Sequence, residues 1–265
     1  MKGRTEEPYY GFKAGIFITL ALIGGGLVVI SLAIAFTVLS YSTWQWAICC
    51  FFGVMFLIGG LFWDSMSSVA YPANIKALEE NFLSQLKTLW DGNGKVLDIG
   101  TGSGRLAVPI ARKFPEANVT GVDIWQTVWS SWGLNKERAE KNTIIEKVDD
   151  RCVFQYGSAL ELPFKDEEFS LVVSAFTFHE INVPDRIVLI QEALRVLAPG
   201  GILLICDLFP RGYGVGSTPE LLKKVQQLGV DDVGHQSLKE AGVDLGRLSF
   251  IWKMSYLSGK KVKAT

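Results

Sequence analysis

Metal-binding side chains and surplus positive charge are both scarce in this sequence. Two histidines and four cysteines are spread over 265 residues. Cys49 and Cys50 are neighbours in an apolar run, while Cys152 and Cys206 fall in separate strand-like segments, so none has metal-ligand spacing. No metal centre is expected, and the thiols read as buried and reduced. Basic residues are balanced by acidic ones, 26 Lys and Arg against 27 Asp and Glu, for a formal net charge of −1. With no dense basic stripe either, a nucleic-acid partner is not expected.

Charge is missing altogether from two stretches, 14–39 and 44–63. At about 1.5 Å per helical residue they would measure roughly 39 and 30 Å, against a hydrocarbon core of about 30 Å. Only Ser40, Tyr41, Ser42 and Thr43 separate them, which predicts a transmembrane helical hairpin with both ends on one side. Trp44, Trp46 and Trp63 at the span ends, and Tyr9 and Tyr10 before the first, suit the headgroup layer. Lys2, Arg4 and Lys13 precede the first span and the turn carries no charge. The positive-inside rule then places both termini and the rest of the chain in the cytoplasm. The runs are too long, and too closely paired, for a cleaved signal peptide. Gly24, Gly25, Gly26, Gly53, Gly59 and Gly60 suit close helix packing, within the hairpin or with another chain.

The predicted organisation is a cytoplasmic segment 1–13, the hairpin 14–63, a linker with an amphipathic helix 64–94, and a catalytic domain 95–265. In the linker, Ile75, Leu78, Phe82, Leu86 and Leu89 recur at spacings of three and four, as on one helix face. Strands and helices then alternate: strands at 95–99, 118–123, 152–157, 169–175 and 201–208, helices near 104–114, 135–147 and 185–197. That alternation specifies a mainly parallel sheet with helices on both faces and a ligand crevice at the carboxyl ends of the strands. Beyond residue 208 the pattern predicts helices near 219–228 and 237–241, then a strand near 248–256. Lys260, Lys261 and Lys263 read as a solvated basic tail able to meet anionic lipid.

After the first strand comes Asp98-Ile99-Gly100-Thr101-Gly102-Ser103-Gly104. Glycines in such a turn allow positive φ and close ligand approach, and the following helix start presents free N–H groups. A dinucleotide fingerprint G-x-G-x-x-G would need glycine where Arg105 stands. The pattern D-x-G-x-G-x-G resembles motif I of the class I S-adenosylmethionine-dependent methyltransferases, of the UbiE-like type. The resemblance continues through Gly121-Val122-Asp123 at the end of the second strand, Gly157-Ser158-Ala159-Leu160-Glu161-Leu162-Pro163-Phe164, and Ala193 to Gly201. These ordered matches cover about 110 residues.

The resemblance implies a Rossmann-like α/β fold, S-adenosylmethionine as cofactor, and a binding set of Asp98, Gly100, Thr101, Gly102, Gly104, Asp123, Ile124, Trp125, Ser158, Ala159 and Ser174. Asp123 would hold the ribose hydroxyls. Ser158 stands where the family commonly has Asp beside adenine. The loop after the fourth strand borders the transferable methyl in the family, which makes His179 and Glu180 the catalytic candidates. His179 could remove an acceptor proton or only orient the loop; His235 reads as structural. Trp125, Trp129 and Trp132 would share a helix face, packing in the core or lining the adenine and acceptor sites. The expected function is methyl transfer to a small, apolar or membrane-associated acceptor. A nicotinamide-dependent oxidoreductase and a non-catalytic membrane adaptor are the alternatives.

Overall fold

The computed structural model describes residues 8–10, 15–38, 43–67, 72–126, 128–131, 133–244 and 254–263. Helices α1 (Gly15–Val38) and α2 (Thr43–Ser67) pack against each other antiparallel, with Gly26 meeting Gly53 and Gly60 meeting Ile23. The glycines are there because nothing larger fits: a Cβ on Gly53 would lie 2.6 Å from Ile30 Cγ1. Packing within the hairpin thus accounts for Gly26, Gly53 and Gly60, whereas a Cβ on Gly24 or Gly59 would meet nothing within 4 Å. Among the described residues no helix is long and apolar enough to cross a membrane, so the two expected spans are not shown. What the hairpin does present is an outward face of large apolar side chains, including Leu20, Val28, Ile34, Phe51 and Ile58. Trp44, Trp46 and Trp63 belong to α2, but their side chains are outside the described set.

Helix α3 (Pro72–Leu89) carries the predicted stripe into the domain. Ile75, Leu78, Phe82 and Leu86 are buried, while Leu89 turns outward and Leu83 takes the fifth place. The domain is one seven-stranded sheet. Its strands are β1 (Gly94–Ile99), β2 (Ala117–Asp123), β3 (Cys152–Tyr156), β4 (Phe169–Ala175), β5 (Leu197–Leu208), β6 (Val230–Ser237) and β7 (Met254–Lys261), in spatial order β3-β2-β1-β4-β5-β7-β6. The first five are parallel, and β7 runs antiparallel between β5 and β6. Strand order reverses between β1 and β4, so the connections leave in opposite directions and open a crevice at their carboxyl ends.

Alternation along β1 shows how both faces are filled. Val96 joins the cluster under α3, α4 (Ala107–Lys113) and α6 (Lys136–Glu146). Leu97 and Ile99 join the other, with α7 (Ile187–Val196) and α8 (Thr218–Gln227).

Three expectations near the C-terminus change. Residues 230–237 form a strand rather than leading into a helix, and 238–242 make a turn. The acidic pair Asp231 and Asp232 hides that strand, which lies at the sheet edge with an irregular register and Asp232 at φ 51°. The strand expected at 248–256 is β7, later in sequence; 245–253 lie outside the described residues. Lys261 is not a free tail residue, because its Nζ donates to the carbonyls of Leu194 and Leu197 at 2.9 and 2.8 Å.

Candidate active site

The turn after β1 is shaped by its glycines. Gly100 has φ +75°, and a Cβ there would fall on the Thr177 side chain from the loop after β4. That close approach fixes the two loops bordering the crevice against each other. Asp98, at the end of β1, is almost fully buried and accepts the backbone N–H of Ala107 at 3.1 Å. Burial pushes its carboxyl up to about 7, against the lowering effect of its hydrogen bonds.

Asp123 closes β2 and anchors the other end of the turn. Its Oδ2 accepts from Gly102 N–H and its Oδ1 from Trp125 N–H, both at 2.9 Å. Burial raises its pKa and these backbone bonds lower it. Each oxygen keeps lone-pair capacity for a further donor, the capacity a vicinal diol requires.

Asp98, Gly100, Thr101, Gly102, Asp123, Ile124, Ser158 and Ala159 line one cavity of about 560 Å³, together with His179 and Glu180. Three expected cofactor residues do other work. Gly104 serves the helix start, where a Cβ would lie 2.8 Å from Val108 Cγ2. Ser174 is fully buried and its hydroxyl bonds the Ile99 carbonyl at 2.8 Å, tying β4 to β1; Ala175 reaches the cavity instead. Trp125 adopts φ 42°, and its indole N–H donates to the Gly102 carbonyl at 2.8 Å. It braces the turn rather than covering the cavity, and the apolar contact there falls to Ile124 and Leu160. A shared helix face is also excluded for Trp125, because α5 (Val128–Ser131) begins after it. Trp132 and the side chain of Trp129 lie outside the described residues. Ser158 accepts the Leu160 N–H at 3.2 Å, so its hydroxyl shapes its own loop while facing the cavity.

His179 sits in a short 3-10 turn, Phe178–Glu180, after β4. Its Nδ1 is 2.8 Å from Asp207 Oδ1 and its Nε2 is 3.2 Å from Glu180 Oε1. Asp207, fully buried at the end of β5, also accepts the backbone N–H groups of Phe178 and His179. Burial alone would lower the imidazole pKa, but the bonds and charges of Asp207 and Glu180 outweigh it and hold it at about 9. His235 pairs with Ser255 Oγ at 2.8 Å in the outer part of the sheet, and it does not line the cavity.

Sequence reasoning missed Asp207, Arg105 and Tyr10. Asp207 could have been found, since it ends a strand on the crevice side. Arg105 lines the cavity with its guanidinium 5.2 Å from the Phe176 ring centre. Tyr10, expected at a membrane interface, is instead buried against the domain.

Comparison with known proteins agrees with this geometry. Residues 96–201 match the methyltransferase domain family. The chain carries a methyltransferase domain. It is 32% identical over 190 residues to 27-O-demethylrifamycin SV methyltransferase of Amycolatopsis mediterranei, covering 69% of this chain and 65% of that protein. It is 34% identical over 116 residues to the ubiquinone/menaquinone biosynthesis C-methyltransferase UbiE of Syntrophotalea carbinolica, covering 44% of each. The chain thus spans less than two thirds of either relative. Among solved structures, the Haemonchus contortus phosphoethanolamine N-methyltransferase 2 in complex with S-adenosyl-L-methionine shares the fold. Its TM-score is 0.51 at 19% identity, over 74% of this chain and 58% of that one.

The methyltransferase domain fits S-adenosylmethionine as its cofactor. The cavity volume is in the range of small-molecule sites, about 300–1,000 Å³. Two carboxyl groups, Asp98 and Asp123, line the cavity beside the backbone of Gly100 and Gly102, donor-accepting chemistry that fits the ammonium and ribose hydroxyls of such a cofactor.

Proposed function

We propose that this protein transfers a methyl group from S-adenosylmethionine to a small apolar acceptor, at the cytoplasmic face of a membrane in which α1 and α2 are embedded. The observation that carries the transfer reaction is the crevice at the β1–β4 switch point. There Asp98, the glycine turn, Asp123 and the His179–Asp207 pair serve a single cavity.

When bound, S-adenosylmethionine supplies an electrophilic methyl on a sulfonium, and in-line attack leaves the bonding pair on sulfur. The chain's part is to position, desolvate and move one proton. Asp123 orients the ribose and Asp98 the ammonium end, while Ile124 and Leu160 give the adenine an apolar flank. Phe176, Ile181, Leu208 and Met254 supply an apolar wall for the acceptor and keep water out. Asp207 holds the His179 ring through Nδ1, leaving Nε2 to take the acceptor's proton once Glu180 is displaced. With a pKa of about 9, only roughly 1% of His179 is neutral at pH 7. An acceptor with a comparably acidic proton, such as a phenol, enol or thiol, is matched to such a base.

The membrane location is supported by the sequence and by the exposed face of the hairpin. The runs 14–39 and 44–63 carry no charged residue. Leu20, Val28, Ile34, Phe51 and Phe62 are all at least half exposed, and clustered exposed apolar side chains mark surfaces that meet a membrane or a partner. An anchored active site meets lipid-phase acceptors at raised local concentration.

The test is transfer of labelled methyl by the detergent-solubilised full chain to membrane lipid extract and, separately, to water-soluble metabolites. Label in the organic phase supports the reading. Label confined to polar metabolites overturns the acceptor class, and label in neither overturns the transfer reaction. Release of the protein from membranes by alkaline carbonate would overturn the embedded hairpin.

A further inference from the structure

Residues 8–10 lie on the methyltransferase domain just ahead of α1. Asn142 of α6 is fully buried, and its amide brackets Tyr9. Oδ1 accepts the Tyr9 N–H at 3.1 Å, and Nδ2 donates to the Tyr9 carbonyl at 3.1 Å and to the Ser103 carbonyl at 3.0 Å. Ser103 in turn donates its hydroxyl to the Tyr10 carbonyl at 3.2 Å. Tyr10 is 7% exposed, packed in the cluster that holds Leu106, Ala107 and Phe154, and it also lines the cavity. The Arg138 guanidinium lies 5.7 Å from the Tyr9 ring centre.

A buried amide is tolerated only when its donors and acceptors are met. Three bonds satisfy Asn142, two of them to Tyr9, so its burial makes physical sense only with residues 8–10 in place. Its third bond goes to Ser103, inside the glycine turn whose neighbour Gly102 is bonded to Asp123. One side chain therefore joins the segment before the hairpin to the turn that floors the cavity.

We propose that residues 8–10 are a wall of the cofactor pocket, with Asn142 the positioning residue that couples their docking to the glycine turn; this rests on the cavity being the S-adenosylmethionine site. Docking and cofactor binding then favour each other reciprocally. Only residues 11–14 separate Tyr10 from α1, so the pocket wall and the hairpin are tied closely along the chain.

The experiment is calorimetric titration of the full chain in nanodiscs with S-adenosylhomocysteine, comparing wild type, Asn142→Ala and Ser103→Ala. Asn142→Ala should weaken binding about tenfold or more, and Ser103→Ala severalfold. In turnover the cofactor KM of Asn142→Ala should rise while kcat stays within about twofold, a split that general destabilisation does not produce. In wild type, the ligand should slow hydrogen exchange at the Tyr9 amide. If Asn142→Ala does not fold, Ser103→Ala and the exchange measurement decide. Unchanged affinity in a folded variant, or ligand-indifferent exchange at Tyr9, overturns the proposal alone. Failure of the wild type to bind the ligand overturns the cofactor reading beneath it as well.

Discussion

His179 and Asp207 meet through a 2.8 Å hydrogen bond although 28 residues separate them in sequence. One follows β4 and the other ends β5, so the pairing of those two strands brings them together. Asp207 is fully buried, and besides the imidazole it accepts two backbone N–H groups of the turn carrying His179. It therefore fixes both the ring and its backbone.

The first prediction concerns the rate. If His179 is the base, kcat should rise with pH toward an apparent pKa near 9. Glu180→Gln removes one of the two carboxylates that raise this pKa, so the rising limb should move to lower pH. A profile unaltered in Glu180→Gln, or flat between pH 6 and 10 in wild type with chemistry rate-limiting, would contradict the assignment.

The same pair predicts a stability difference. The folded-state pKa of His179 is raised from 6.5 to about 9. Its stabilising contribution is therefore complete below about pH 6.5 and lost as pH climbs through 9. Denaturant melts of wild type and His179→Asn should differ by on the order of 2 kcal/mol more at pH 6 than at pH 9.5. An equal difference at both pH values counts against the paired imidazolium.

Asp98 has the opposite consequence for neutral pH. Its carboxyl is raised from 3.8 to about 7, so the stability it contributes in acid falls away as pH rises between those values. Asp98→Asn should make the ligand-free protein more stable at pH 8, by on the order of 1–3 kcal/mol, while weakening cofactor binding. Bound next to an ammonium group, Asp98 should give up its proton. Titrations near pH 7 in buffers of different ionisation enthalpy should then yield different apparent heats, with protons released. Identical heats would place Asp98 outside the binding linkage.

Gly100→Ala tests the shape of the turn. The new methyl would overlap Thr177, at a φ of +75° that already disfavours alanine. Loss of at least about 2 kcal/mol of stability together with the cofactor site is expected. A variant that binds S-adenosylhomocysteine normally would show that the two loops need not touch.

The alternating units of the sheet were legible because each parallel strand is a compact apolar run; 169–175 was placed to the residue as β4. The turn was legible because a sharp chain reversal after a strand demands glycine, and Asp123 because a carboxylate that ends the next strand can reach that turn, where it accepts from Gly102 N–H. Sequence order places Ser174 and Trp125 near the turn, but side-chain direction decides their use, and both bond backbone carbonyls. The docking of Tyr9 and Tyr10 carried no signal at all, since Tyr10 bonds Ser103, 93 residues away, and Tyr9 bonds Asn142, 133 residues away. An aromatic residue before an apolar run looks the same whether it meets lipid or protein.

The most direct test of the whole account is calorimetric titration of the full chain with S-adenosylhomocysteine and, separately, NADH, in wild type and Asp123→Ala. The account predicts micromolar binding of the first ligand, loss of at least about tenfold in the variant, and no binding of the second. Binding of NADH in preference, or S-adenosylhomocysteine binding indifferent to Asp123, would contradict it.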